Sequence, residues 1–404
     1  MATLAVLGTL DSKGHEHLFL AERIRARGHS ALMIDVGTGG APQVPVDVTR
    51  EEVAAASGLD LTPLLERADR GECVSAMAKA APVYLSKLQQ AGRIDGVISL
   101  GGGGGTAIAT AAMRALPLGF PKLMVSTLAS GNTAPYVGNQ DITMMPSIVD
   151  VAGINRISRV VFTRAVGAIC GMAEEQVTQQ DERPIIVASM FGNTTDCVNA
   201  AIPVLERAGY EVLVYHATGT GGRAMEALIA SGMVAGVLDL TTTEWADELL
   251  GGVLSAGPQR LEAAAKAGIP TVVAPGCLDM VNFGERSSVP SRYEGRNLYI
   301  HNPQVTLMRT TPEECARLGE VLAGKVNEYQ GPVTVMFPRE ALSVIGAPGQ
   351  PFHDPLADQA LFESLSHHLR EDIELLSSAC QINDPAFATL AAETLLAKLR
   401  THTS

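Results

Sequence analysis

The chain has 404 residues, 46% of them hydrophobic, enough for two or three domains that each bury a core. A formal charge of −13 excludes a nucleic-acid surface, which needs clustered Lys and Arg, but admits a single nucleotide held by local positive potential. Six well-separated cysteines without a C-x-x-C pair exclude zinc knuckles and a disulfide framework, and no apolar run approaches a membrane span, so a cytoplasmic protein with reduced, mostly buried thiols is expected.

Aromatic residues are only 4% of the chain, so its volume comes from Ala, Val, Ile and Leu, the usual filling of a parallel sheet covered by helices. In chain order, Leu4–Gly8 reads as a buried strand, Gly14–Arg27 as a helix and Ala31–Val36 as a second strand. A long helix over Glu72–Gln90 leads to a strand at Asp95–Leu100, a helix at Thr106–Leu116 and a strand at Lys122–Ser126. Continuous apolar strands separated by helices imply parallel βαβ units. Asn155–Glu175 reads as a connecting helix, followed by a polar joint at 176–184.

The second half repeats the plan. RGHSALMIDVGTGG at 27–40 parallels AGYEVLVYHATGTGG at 208–222, and DGVISL at 95–100 parallels AGVLDL at 235–240. LAVLG near the start matches IIVAS at 185–189, and FPKLMVST at 120–127 matches IPTVVAPG at 269–276, all in the same order. Buried strands draw on few residue types, but the shared GTGG and the preserved order favour duplication. The expected architecture is α/β, two doubly wound parallel-sheet domains over 1–175 and 184–404, each with a ligand-capable edge at its strand carboxyl ends. A strand at Val333–Phe337 and helices at Leu356–Leu369 and Pro385–Leu399 complete the reading.

The strongest chemical signal is SLGGGGGTAIATAAMRAL at 99–116, in which Gly101, Gly102, Gly103, Gly104 and Gly105 join a strand to a helix. Phosphate needs several N–H groups at close range, which a Cβ would block, and a helix start adds partial positive charge, with Thr106 as cap or phosphate contact. A merely tight turn is the competing reading, and no Walker A lysine follows. The first strand ends in GTLDSKG: after Gly8, a first loop would carry Thr9, Asp11 and Lys13, with Lys13 on phosphate and Asp11 on magnesium through water, or else Asp11 as a helix cap. Asp35 ends the second strand where a carboxylate often accepts ribose hydroxyls, although no G-x-G-x-x-G precedes it, which disfavours NAD. Ser126, Ser130, Gly131 and Asn132 lie in a third polar loop that either lines the phosphate or forms self-satisfied turns.

The second half offers Asn193, Thr194, His216, Arg223, Asp239, Glu244, Asp279, Asn282 and His301 at its strand ends. His216 and His301 are the candidate bases and Asp239 and Glu244 the acids, tautomer-fixing groups or metal ligands. Arg223 would hold an anionic metabolite, with Asn193, Thr194, Asp279 and Asn282 as further substrate contacts. Mutual satisfaction within the fold is the structural alternative.

The stretches LGTLDSKG, GGGGGTAIATA, VSTLASGNTAPYVGNQDI, HATGTGGRAME, LDLTTTEWADELLGGVLSAGP, LDMVNFG, HNPQVTLMRTT and FHDPLAD span residues 4 to about 358. Through them the chain resembles the bacterial and fungal family related to the amino-terminal ATP-binding domain of the tomato mosaic virus resistance protein. The resemblance implies two Rossmann-like domains, ATP with magnesium in the first, and a homodimer. It carries the nucleotide role to Thr9, Asp11, Lys13, Gly101–Thr106 and Ser126–Asn132. The chain reads DSK where DTK is the family's form and GGGGG where GGSGG is common, which removes one serine hydroxyl from the phosphate loop. Two functions follow as expectations: an ATP-dependent enzyme acting on a small anionic metabolite in an interdomain crevice, or a non-catalytic, nucleotide-gated binding protein. Inhibition of a virus is not carried over.

Overall fold

Segments such as Leu4–Leu7 have apolar residues pointing both ways, so they are stable only with both faces covered. The computed structural model, which describes residues 1–67, 69–175 and 183–402, resolves them into parallel strands with helices on each side. The chain divides into two compact units, Met1–Gln179 and Gln180–Ser404. The polar joint read at 176–184 falls mostly on residues 176–182, outside the described residues.

In the first unit, β1 (Thr3–Gly8), β2 (Ser30–Asp35), β3 (Gly96–Gly101), β4 (Lys122–Ser126) and β5 (Thr143–Pro146) form one parallel sheet in the order β2-β1-β3-β4-β5. Strand alternation sends Leu4 and Val6 into a core with Leu20 and Ile24 of the helix Leu10–Ala26 and Phe162 and Val166 of the helix Arg156–Glu174. Ala5 and Leu7 enter the opposite core, against Met77 and Leu85 of Arg70–Gln90 and Ile108 and Met113 of Gly103–Arg114. Each large apolar side chain so buried contributes about 1.5–3 kcal/mol.

The second unit begins with β6 (Ile185–Met190), β7 (Glu211–His216), β8 (Val234–Thr241) and β9 (Thr271–Gly276). The chain then leaves for a separate antiparallel sheet of β10 (Met280–Phe283), β11 (Leu298–Asn302) and β12 (Val305–Arg309), and returns with β13 (Val333–Pro338) and β14 (Glu374–Ser378). The main sheet is parallel, in the order β14-β13-β9-β8-β6-β7. Both sheets therefore start alike: β1 and β6 lie between β2 or β7 on one side and β3 or β8 on the other, with β4 or β9 beyond. Asp35 and His216 end equivalent strands, opposite Gly8 and Met190. The fold is α/β, two Rossmann-like doubly wound units related by duplication.

The antiparallel sheet, β5 and β14 depart from the sequence reading. Two helices also start about a turn earlier than expected: the first at Leu10, so that only Thr9 separates it from β1, and the other at Gly103. Asp11 and Lys13 therefore lie in a helical first turn rather than a loop, and that turn is kinked at Lys13 (φ −129°, ψ 28°). Glycine's poor helix propensity hid the second start. All six cysteines are free, and five are buried. Among the described residues no helix is long and apolar enough to cross a membrane.

Candidate functional site

At the carboxyl ends of β1 and β3 the first unit opens a cleft of about 700 Å³. Thr9, Asp11, Ser12 and Lys13 form one wall, Thr38–Gly40 another, and Gly101–Gly105 the floor. Leu65, Arg70 and Val74 close it from the helical side, and Asp150 stands at its edge.

The glycine turn is built to present backbone. Gly102 is the N-cap and contributes no side-chain cap; the first helical bond is from Thr106 N–H to Gly102 O at 2.8 Å. The N–H groups of Gly103, Gly104 and Gly105 thus have no intrahelical acceptor, and no acidic residue occupies this first turn. A Cβ on Gly103 would meet nothing within 4 Å, so the space before it is open. None of the five glycines has positive φ. Gly101 is needed for packing, since a Cβ there would lie 3.2 Å from Gly105 Cα.

Two cations line the same cleft, Lys13 and Arg70, and among the described residues no hydrogen bond or ion pair engages either head group. Asp11 accepts the Gly39 N–H through Oδ2 at 2.7 Å, which ties the GTGG loop to the first helix. Its Oδ1 is buried without a partner. A buried acceptor left unsatisfied is costly, and one magnesium ion carrying its own waters would satisfy it. Among the described residues no three His, Cys, Asp or Glu side chains gather to hold a metal, so such an ion would need the ligand's oxygens as well.

Other expected nucleotide contacts take different places. Asp35 is 1% exposed, and its Oδ1 accepts the N–H groups of Leu10 (3.0 Å) and Gly37 (2.8 Å); burial raises its pKa. It ties the two strand ends together and does not line the cleft. Gly8 makes room for the buried His17 ring, which a Cβ would strike; burial lowers that imidazole to about 4 and keeps it neutral. Thr106 and Ser126 share a buried hydroxyl bond of 2.7 Å beneath the glycine turn. Ser126 and Ser130 border an adjacent cleft instead. Gly131 and Asn132 form turns, through Gly131 N–H to Leu128 O and Ala134 N–H to Asn132 Oδ1. Thr38, Leu65, Arg70, Val74 and Asp150 were not legible as site residues, because only folding brings them to the glycines.

The candidates of the second unit are engaged with each other. Arg260, 1% exposed, binds Asp239 through both Nη atoms (2.5 and 2.7 Å) and Glu244 Oε2 through Nε (2.6 Å), and reaches Glu226 at 3.2 Å. Burial alone would lower the guanidinium's pKa; Asp239 leads the carboxylates that hold it above its ordinary value. Glu244 Oε1 also accepts the N–H groups of Gly219 (2.7 Å) and Gly222 (3.1 Å). His216 is exposed beside the Phe191 ring, and His301 is exposed on β11 beside Tyr299. Among the described residues no hydrogen bond joins either imidazole to Asp239 or Glu244. Arg223 is exposed and donates to Ser255 O at 2.9 Å. The expected base-and-acid constellation is therefore not assembled, because both acids neutralise a buried arginine.

Asp279 is buried, accepts the Ser343 hydroxyl at 2.6 Å and has its pKa raised by burial. Asn282 donates through its backbone N–H (2.6 Å) and Nδ2 (3.0 Å) to Asp247, whose carboxyl burial pushes up to about 7. Asn193 O accepts Asn383 Nδ2, and Thr194 shares a hydroxyl bond of 2.7 Å with Thr241. These four residues cross-link neighbouring segments of the second unit.

Comparison with known proteins covers both units. Residues 2–178 match the N-terminal domain, and residues 183–399 the C-terminal domain, of an uncharacterised protein family, UPF0261. A UPF0261 protein of Clostridium tetani is 47% identical over 395 residues, covering 97% of this chain and 98% of that protein. One from Rhizobium meliloti is also 47% identical, with the same coverage. The ToMV resistance protein Tm-1(GCR237) of Solanum lycopersicum is 38% identical over 413 residues, 96% of this chain but 55% of the tomato protein. Among solved structures, MurG of Acinetobacter baumannii aligns at a TM-score of 0.22 and 11% identity over 98% of this chain and 99% of that one, too distant to carry an inference. The chain belongs to the UPF0261 family.

Proposed function

We propose that the first unit binds the phosphate chain of a nucleotide, ATP with magnesium, across the Gly101–Gly105 turn. The observation that carries this reading is the coincidence of three uncapped N–H groups with two unpaired cations, Lys13 and Arg70, in one cleft. Its size of about 700 Å³ suits a nucleotide. Asp11 Oδ1 would take the magnesium ion through water, and Leu65 and Val74 offer an apolar wall to a base. The engagement of Asp239 and Glu244 with Arg260 favours nucleotide-gated binding over catalysis in the second unit.

Gly103→Val tests the reading. The added side chain enters open space at a helical position, so melting should be unchanged while it fills the cradle. Calorimetric ATP affinity is expected to fall by at least about tenfold, the worth of one hydrogen bond to a charged group. Full ATP affinity in the folded variant would remove the glycine turn from the site.

A further inference from the structure

Beside the phosphate cleft lies a second one of about 280 Å³, and Asp150 lines both. The two adjoin at Gly102, where a Cβ would come within 3.7 Å of Thr127 Oγ1, a hydroxyl of the second cleft. One wall of this cleft is an anomaly. Ile148 has φ +67°, and Val149 N–H bonds back to Ser147 O at 2.8 Å, which makes a γ-turn of the rare, strained positive-φ kind. A β-branched residue is the poorest choice for that backbone. Burial does not compensate, because Ile148 is 75% exposed. The neighbours impose the turn: Ser147 N–H bonds Ser126 O at 3.1 Å, and Ser147 Oγ donates to Val149 O at 2.6 Å. Strain held in place by surrounding bonds, at an apolar residue that lines a cleft, is of the kind that clusters at ligand sites.

The polar groups define the ligand's chemistry. Among the described residues the hydroxyls of Thr127 and Ser130 have no intramolecular partner. Asp150 uses Oδ1 on the Val151 N–H at 2.8 Å and leaves Oδ2 free. No lysine or arginine lines this cleft, so an anionic group is disfavoured. Two free hydroxyls and a carboxylate acceptor suit a vicinal diol, and an exposed aliphatic face suits the C–H side of a sugar ring. We infer that the Ser126–Ser130 and Ser147–Asp150 cleft is a subsite for a sugar diol, packed on Ile148 and hydrogen-bonded to Asp150, contiguous with the phosphate cradle. This rests on the phosphate reading for its neighbour, and the diol comes either from the nucleotide's own ribose or from a separate sugar.

The test uses the full chain and the variants Ile148→Gly, Ser130→Ala and Asp150→Asn. Glycine accepts positive φ, so the first folds without the strain. Calorimetry compares ATP with inorganic triphosphate, which has no diol; saturation-transfer NMR follows D-ribose and D-glucose. With ribose as occupant, Asp150→Asn weakens ATP about tenfold yet strengthens triphosphate by removing a negative charge, and Ile148→Gly weakens ATP only. With a separate sugar as occupant, ATP keeps its affinity in Ile148→Gly and Ser130→Ala, and the sugar signals vanish. If neither ATP nor the sugars distinguish the variants from the parent, the subsite is overturned. If the parent binds neither ATP nor triphosphate, the phosphate reading fails by itself; sugar signals lost in Ile148→Gly then uphold the subsite, and absent signals overturn it.

Discussion

After β3 of the first unit the chain reads Gly101–Gly105, and the helix start so formed faces an open cleft. After the equivalent β8 it reads Thr241–Trp245, and Glu244 reaches across to the helix start in the other GTGG copy, accepting the N–H groups of Gly219 and Gly222. A Cβ on Gly222 would strike that carboxylate. The protein thus fills one helix start with its own anion and leaves the other without an acidic side chain in its first turn. The cations divide in the same way: Arg260 is held by three carboxylates, and among the described residues none holds Lys13 or Arg70. Two copies of one topology can therefore use their strand ends for opposite purposes, and polar residues at such ends indicate a site only where their charges are left uncompensated.

The largest expected effect follows from removing the internal cation. Arg260→Met leaves Asp239 and Glu244 buried without a counter-ion, and should cost about 3–5 kcal/mol in urea unfolding of the second unit. A loss below about 1 kcal/mol would break the contrast drawn above.

Acidity offers a second test. Burial raises Asp247 from 3.8 to about 7, so the folded state holds its proton more tightly than the unfolded one. Stability is then fully present below the unfolded value and is lost as pH rises towards 7, by an amount on the order of a few kcal/mol. Asp247→Asn should remove that slope. The difference between wild type and variant is measured by melting from pH 4 to 7.5, so that other carboxylates cancel; a constant difference refutes the assignment.

The smallest effect concerns the open cleft. Lys13→Met and Arg70→Met should each lower ATP affinity about tenfold at low salt, with a shallower salt dependence. Neither should shift melting, since among the described residues neither head group has a partner to lose. A melting loss comparable to that of Arg260→Met would make these cations structural too.

Sequence periodicity carried the sheets well, because buried parallel strands such as IIVAS and LAVLG admit little else. It missed β10–β12, where exposed positions such as His301 and Asn302 blur the alternation of a small sheet edge. Site residues near the glycines in sequence were legible, whereas Arg70 and Asp150 reach the cleft only through the tertiary fold. The clearest missed signal was Arg260. Asp239 and Glu244 stand beside apolar strands that bury them, which requires a cation nearby, yet nothing local marks an arginine in the intervening loop as that cation.

The last helix, Pro385–His402, gives the second unit an order of completion. Phe387, Ala391 and Leu395 belong to the same core as Ile186, Leu238 and Val272, from strands that begin at Ile185, Val234 and Thr271, well before this helix is made on the ribosome. A nascent chain made only to residue 380 already holds every strand and covering helix of the first unit, with its glycine turn formed. Its second sheet still presents β6, β8 and β9 without those side chains, as exposed apolar surface of the kind that recruits chaperones. The cleft of the first unit is thus complete before the core of the second, which waits for this helix.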